Sequence, residues 1–407
     1  MKLITKTKIL VLIIIGILFT FSPTITNWLR FNAENNDVID LDTENLKGSE
    51  VSERIYIIGN SGWLDLKNDG HCTGSGTYYD PYVIKNLVID GEGSGSCIRI
   101  ENSSVYFIIE NCKLYNAGGY PYAGIYLIDV ENSRIIHNYC SNNSMGIHLE
   151  ECNYNTILGN FFNSNEVGIR LNDCCNNTIS DNIANNNDYS GMGIEFSNSN
   201  TISDNIANNN DYTGMYIQYS NRNTISGNTV NGNSYWGILL DESHYNNLFG
   251  NFAFNNKIGI CLHTFCHSLL MVGCHDNNIS GNSINDNSEY GIQFYSCHNN
   301  NIYLNCFTNN RAHACDDGDY NYWDNGVKGN FWSDYTGLDE EGDGIGDSPY
   351  NINGSARSKD YYPLMKCPIP VQKSPFETLI LITIISGGAV IGVATILLIR
   401  TKRKRIQ

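Results

Sequence analysis

The chain has 407 residues, 41% of them apolar and only 16% charged, with a net charge of −17. So acidic a body repels nucleic acid and anionic membrane surfaces, which excludes nucleic-acid binding as its role. Its 14 cysteines suit an exported protein that either forms disulfides or packs free thiols as small hydrophobes.

At the N-terminus, apolar residues 9–21 follow Lys2, Lys6 and Lys8. Residues 1–32 therefore read as a signal peptide or an N-terminal anchor, since the apolar run is a little short for a spanning helix. Residues 33–54 read as an acidic linker or cap. From Ile55 to Pro363 no window of ten or more residues carries helical periodicity. Instead, short apolar-alternating segments are separated by Asn, Gly and Ser, the pattern of strands with one buried face.

These segments repeat. Asn155-Thr156-Ile157…Asn160 recurs as Asn177-Thr178-Ile179…Asn182, Asn200-Thr201-Ile202…Asn205 and Asn223-Thr224-Ile225…Asn228. Between them lie Gly146-Ile147-His148-Leu149, Gly168-Ile169-Arg170-Leu171, Gly193-Ile194-Glu195-Phe196 and Gly237-Ile238-Leu239-Leu240. From Ile135 the isoleucines step by 22, 22, 23 and 23 residues. A unit of this length cannot bury its own apolar face and must stack on its neighbours. With only one or two leucines per unit, the pattern departs from a leucine-rich repeat. It predicts a parallel β-helix over residues 55–318, all-β, with roughly ten coils and a length of about 50 Å. The Asn columns would sit at tight corners, tolerating left-handed backbone and bonding to the next copy.

Three features of the coils carry candidate chemistry. Asp129, Glu151, Asp173 and Glu242 each lie five residues after a coil glycine. Such a column faces water, binds cations or, as paired carboxylates in glycoside hydrolysis, acts on a substrate; Glu151 and Asp173 are the catalytic candidates. Cys152 and Cys174, with Ser199, Ser220 and Ser243 continuing the column, read either as stacked interior thiols or as a disulfide. Tyr126, Tyr216, Tyr219 and Tyr295 read as exposed rings able to stack on sugars. No Ser-His-Asp order, phosphate loop or dinucleotide fingerprint occurs. The coils carry few basic residues, so no lyase-like set of cations stands out. Sequons at Asn102, Asn142, Asn176, Asn278 and Asn353 are expected by chance in so Asn-rich a chain.

Departures from the repeat come next. The Gly118–Tyr122 region is a loop by composition. An insertion gathers Cys261, His263, Cys266, His267, Cys274 and His275, ligand types suited to copper or zinc, although disulfides plus surface histidines explain it equally well. Residues 319–366 read as a C-terminal cap. It contains Asp339, Glu341, Asp343, Ile345 and Asp347 around Gly344, resembling the first nine positions of a calcium-binding EF-hand loop. Position twelve is Tyr350, so the bidentate ligand would have to come from elsewhere, with Asp360 the candidate. After a linker at 367–378, Leu379–Ile399 is an uncharged stretch of 21 residues followed by a basic tail at 400–407. That predicts a single transmembrane helix with a cytoplasmic tail and an extracellular solenoid.

Gly74-Ser-Gly-Thr77-x-x-Asp80-Pro-Tyr-Val-Ile84, the N-x-I-x-x-N…G-I-x-L repeats, and Gly329-Asn-Phe-Trp332 through Asp343-Gly-Ile-Gly-Asp347 and Asp360-Tyr-Tyr-Pro-Leu364 together carry a resemblance. The chain resembles the NosD-like family of right-handed parallel β-helix proteins, the CASH (carbohydrate-binding and sugar hydrolase) group, in its archaeal surface-protein form. The resemblance implies a right-handed β-helix and an accessory role in copper-site maturation. Pectin-active members of the β-helix class carry signatures matched here only by Asp316-Asp317 and Arg357-x-Lys359, outside the coils. Three functions follow as expectations: a membrane-anchored extracellular protein binding carbohydrate or a partner surface, with calcium at its C-terminal end; a polysaccharide hydrolase or lyase; and a copper-handling accessory protein.

Overall fold

The structure, a computed structural model, describes residues 51–264 and 273–369. The segment 1–32, the stretch 379–399, the tail 400–407, Cys266 and His267 lie outside the described residues. The described chain is a right-handed parallel β-solenoid of about 11 turns. Each turn, or rung, gives one short strand to each of three faces.

The long sheet has 11 parallel strands, from Ile55–Ile58 to Ala312–Asp319. The second sheet has ten, from Tyr82–Lys85 to Asn301–Tyr303. The third face holds two five-stranded sheets, bridged through Phe161, Ile183, Ile206 and Thr229. Alternation does the folding: in every Thr-Ile-Ser strand the isoleucine points inward. Ile135, Ile157, Ile179, Ile202 and Ile225 are all at most 1% exposed and in direct register.

The asparagines build three interior ladders. Asn138, Asn160, Asn182, Asn205, Asn228, Asn251, Asn282 and Asn305 are fully buried. From Asn160 onward each side-chain oxygen accepts both the backbone N–H and the amide N–H of the asparagine one rung earlier, as at Asn182→Asn205, both 3.0 Å, while Asn138 Oδ1 accepts Cys112 N. Parallel ladders run through Asn155 to Asn321 and Asn143 to Asn310. The left-handed backbone expected of these asparagines belongs instead to the residue before them, for example Asp181 (φ 55°) and Asp204 (φ 56°). That division is physical: the left-handed residue turns the chain outward, which leaves the next side chain aimed into the corner.

The register also corrects the repeat. Met192 pairs with Ile169, and Gly193 with Arg170, so the coil glycine of this rung is Gly191, not Gly193. A Cβ on Gly191 would lie 2.8 Å from the Gly214 carbonyl oxygen and from the Ala207 Cβ, whereas Gly193 stands in an outward column. In consequence the interior thiol column runs Cys152, Cys174, Ser197, Ser220, Ser243, Cys274. Ser197 takes the place expected for Ser199, and Cys152 and Cys174 are free thiols.

Both ends are closed. The solenoid begins at Val51, inside the expected linker, and a short helix, Gly62–Asn68, covers the first rungs. Its Trp63 is fully buried, stacks on Tyr82 and donates to Ser103 Oγ at 2.9 Å. At the other end Trp323 and Trp332 plug the core. Their indole N–H groups donate to the buried Asp316 (3.0 Å) and Asp360 (2.8 Å). A disulfide, Cys306–Cys367, ties the chain after the cap to the last full rung, with Cα atoms 5.5 Å apart.

Candidate functional site: the outer face of the long sheet

Two outward columns on the long sheet depart from the Thr, Ser and Asn of the other faces. One runs Arg99, Tyr126, His148, Arg170, Gly193, Tyr216, Leu239. The other runs Glu101, Ile128, Glu150, Asn172, Glu195, Gln218, Asp241. Acids therefore stand on every second rung, about 9–10 Å apart along the axis. A neutral residue between them relieves the repulsion that adjacent like charges would suffer.

Each acid has a donor. Glu101 pairs with Arg99, and Glu150 accepts from the Tyr126 hydroxyl. Glu195 Oε2 lies 2.9 Å from Arg170 Nη2. Asp241 accepts from Gln218 Nε2 at 2.8 Å and from the Tyr216 hydroxyl at 3.4 Å. Burial pushes the phenols of Tyr126 and Tyr216 upward, reinforced by these carboxylates, so both stay protonated donors.

The loop containing Tyr120–Tyr122 covers one end of this face. His148 Nδ1–H donates to the Pro121 carbonyl at 3.1 Å, which assigns the lone pair to Nε2. Its ring lies flat on Tyr126, with centroids 4.6 Å apart, and burial holds it below the usual histidine range. The Arg170 guanidinium lies under Tyr120 at 5.3 Å. Toward the other end Leu239, Ile258 and Cys261 face outward yet are buried, clustered with Tyr216, Trp236 and Tyr290. A groove of about 710 Å³ beside the first rungs, lined by Arg54, Glu92, Arg99 and Tyr122, adjoins the face.

The residues expected from sequence fall elsewhere. Glu151 and Asp173 are exposed, with φ of 54° and 53°: they turn off the sheet at the corner, and their neighbours Glu150 and Asn172 occupy the face. The acid column they were placed in continues through Phe196 and Tyr219, so it is not a row of acids. Tyr126, expected to be exposed, is 3% exposed. Arg99, His148 and Arg170, scattered in sequence, share one column; the x position of G-I-x-L was the sequence signal for His148 and Arg170, and Arg99 stands at the same place in Cys97-Ile98-Arg99-Ile100.

The Cys/His insertion does not converge where it is described. Cys274 points into the core, Cys261 lies in the outward apolar cluster, and His263 stacks near Tyr295 at 5.2 Å. His275 stands in a corner stack between His244 (3.8 Å) and His298 (5.0 Å). Among the described residues no three His, Cys, Asp or Glu side chains group around a common metal position. In the acidic loop, Asp339 accepts the backbone N–H groups of Gly342, Asp343 and Gly344. Asp347 accepts from Glu340 N at 2.8 Å and Asp343 from Ile345 N at 2.9 Å, while Glu341 is exposed. Asp360 is no substitute twelfth ligand: it is fully buried, and Asn330 N, Trp332 Nε1 and Tyr362 N occupy its oxygens. Among the described residues no helix is long and apolar enough to cross a membrane.

Known proteins set this geometry in context. The crystal structure of the Dettilon tailspike protein gp208 superposes with a TM-score of 0.50 at 14% identity. That match covers 67% of this chain and 58% of the tailspike. The A-module of Azotobacter vinelandii mannuronan C-5 epimerase AlgE4 is 14% identical over 59% of this chain and 80% of its own, with a TM-score of 0.47. The periplasmic alginate epimerase AlgG is 14% identical over 63% of this chain and 83% of its own, with a TM-score of 0.36. No curated protein matches the chain. Residues 78–264 and 264–337 match the profile of the family described as periplasmic copper-binding protein (NosD). With the parallel β-solenoid, that match places the chain in the NosD family.

Proposed function

We propose that this protein is an exported, membrane-anchored β-helix that binds carbohydrate on the outer face of its long sheet. One observation carries the reading. On an otherwise regular scaffold, Arg170, Glu195, Tyr216, Gln218 and Asp241 form a continuous, partly buried set of polar groups over consecutive rungs. Convergent donors and acceptors beside aromatic rings are what hydroxyl-rich ligands require. The family is described as periplasmic, which agrees with export. The anchor rests on the sequence of residues 379–399, and the tail would face the cytoplasm. Titration of the protein against a glycan panel tests the reading. Wild type should bind, Glu195→Gln and Asp241→Asn should bind more weakly, and Glu151→Gln should bind as wild type.

Acids two rungs apart favour a second reading, polysaccharide hydrolysis, in which two carboxylates flank the scissile bond. Release of new reducing ends, lost in Glu195→Gln, would promote it. The copper reading named by the family has no ligand set to stand on among the described residues. Most of the described thiols lie buried inside the solenoid, and burial pushes Cys97 and Cys112 up to about 12. Calcium at Asp339–Asp347 stays a proposal for the cap; calorimetric heat at millimolar calcium would support it, and none would dismiss it.

A further inference from the structure

The groove of about 710 Å³ lies at the head of the long sheet, where Arg54, Tyr56, Glu92, Ser94, Arg99 and Tyr122 line it. That volume is within the range of small-ligand sites, about 300–1,000 Å³. Tyr56 belongs to Ile55–Ile58, the first strand of the sheet, and pairs with Arg99 of the next rung. One face of its ring lies against the Arg99 guanidinium at 5.5 Å. No strand of the sheet precedes Ile55–Ile58, so the sheet leaves the opposite ring face uncovered, and Tyr56 is 58% exposed.

The Arg99 guanidinium is clamped. Tyr126 packs on its other side at 5.1 Å, and Nε pairs with Glu101. Its two terminal nitrogens take no hydrogen bond among the described residues, and neither is sealed from solvent. With the side chain 31% exposed and lining the groove, these N–H groups are fixed donors open to a ligand. Arg54 is fixed as well. Its Nη1 donates to Ser94 Oγ at 3.0 Å, and its Nη2 lies 3.8 Å from Glu92 Oε2. A Cβ on Gly95 would come within 2.6 Å of Arg54 Nη1, so the glycine makes room for the guanidinium. Glu92, exposed, adds a carboxylate acceptor to the same wall.

Resting on the carbohydrate reading above, we propose that this groove is a subsite for a neutral pyranose unit at the head of the face. The sugar packs its apolar C–H face on the open side of the Tyr56 ring. Its hydroxyls accept from the terminal N–H groups of Arg99 and donate to Glu92, a pairing that a group both donor and acceptor satisfies. Charge selects the class. Glu53, Asp90 and Glu92 outnumber Arg54 and Arg99 in the wall, and Glu101 adds a further negative charge beside Arg99. A uronate is therefore repelled, while hydroxyls gain charge-assisted bonds of both senses.

Calorimetric titration of the intact protein with laminarin, mannan, xylan and alginate tests this, alongside Tyr56→Ala and Arg99→Lys. Lysine keeps the charge but has no planar fork to lie between two rings. Each variant should bind the neutral glycan at least about tenfold more weakly, the scale of one charge-assisted hydrogen bond lost. Tyr56 is exposed, so Tyr56→Ala should keep the wild-type melting temperature; it carries the comparison if Arg99→Lys disturbs folding. In wild type, bound glycan should protect Tyr56 from hydroxyl-radical oxidation, a readout that needs no variant. Tyr56→Ala binding like wild type, or Tyr56 oxidised as before, would overturn the subsite and leave face binding standing. Preference for alginate would overturn the neutral class. No binding of any glycan by wild type would overturn the carbohydrate reading, and the subsite with it.

Discussion

Replacing Asn205 by alanine should cost far more than its position in a repetitive sequence suggests. Its amide makes four hydrogen bonds. Oδ1 accepts Asn182 N and Asn182 Nδ2, both at 3.0 Å, and Nδ2 donates to the Ile179 carbonyl at 2.9 Å and to Asn228 Oδ1 at 3.0 Å. Asn182 Nδ2 keeps the Ile157 carbonyl and Asn228 Oδ1 keeps Asn205 N, so two backbone groups, Asn182 N–H and Ile179 C=O, lose a partner. The site is fully buried, so water does not replace the amide. At about 1–3 kcal/mol per stranded group, the loss is about 2–6 kcal/mol. Urea unfolding at neutral pH, followed by circular dichroism and fluorescence, measures it against Thr201→Ala, an exposed outward control expected within about 0.5 kcal/mol of wild type. Equal midpoints for the two variants would refute the claim that the asparagine ladders hold the corners.

The histidine stack predicts acid sensitivity. The His275 backbone N–H donates to His244 Nδ1 at 3.3 Å, a place that Asn221 Oδ1 fills one rung earlier. Burial, then the neighbouring His275 and His298, hold His244 down at about 4. As pH falls from about 6.5, the unfolded chain binds the proton first, so stability is lost between about 6.5 and about 4. His244→Asn should flatten that loss in melting curves at pH 7.5 and 4.5; an unchanged drop would count against it. Cys306→Ser opens a link spanning 61 residues and should cost about 4 kcal/mol, read as a shifted denaturation midpoint. Gly191→Ala should lower the melting temperature and Gly193→Ala should not, because only the first Cβ meets backbone at 2.8 Å; matching losses would refute the register.

The fold was legible because one period governs the chain: isoleucines every 22 or 23 residues permit little but stacked short strands. The corners were half legible. Asparagine was read as the left-handed residue, whereas burial shows it is the inward-facing partner of that residue. The acids of the face were hidden by the same regularity. Gly191-Met192-Gly193-Ile194 offers two glycines that fit the motif, and with methionine replacing isoleucine the wrong one was chosen. That slip of two residues hides Glu195, which lies four residues after Gly191, whereas Glu151 and Asp173 lie five residues after Gly146 and Gly168, one place past the face and at the corner. Burial of Tyr126 and His148 depends on the Tyr120–Tyr122 loop folding back over the sheet, and the Cys306–Cys367 link on the cap returning to the last rung. Neither is a local property of sequence.

Hydroxyl-radical footprinting with and without a bound glycan tests the central claim most directly. Binding on the long sheet predicts protection of Tyr216 and of Tyr120 at the rim, with Tyr303 on the second face and Tyr320 near the cap oxidised as before. Protection of Tyr303 or Tyr320, with Tyr216 unchanged, would contradict it.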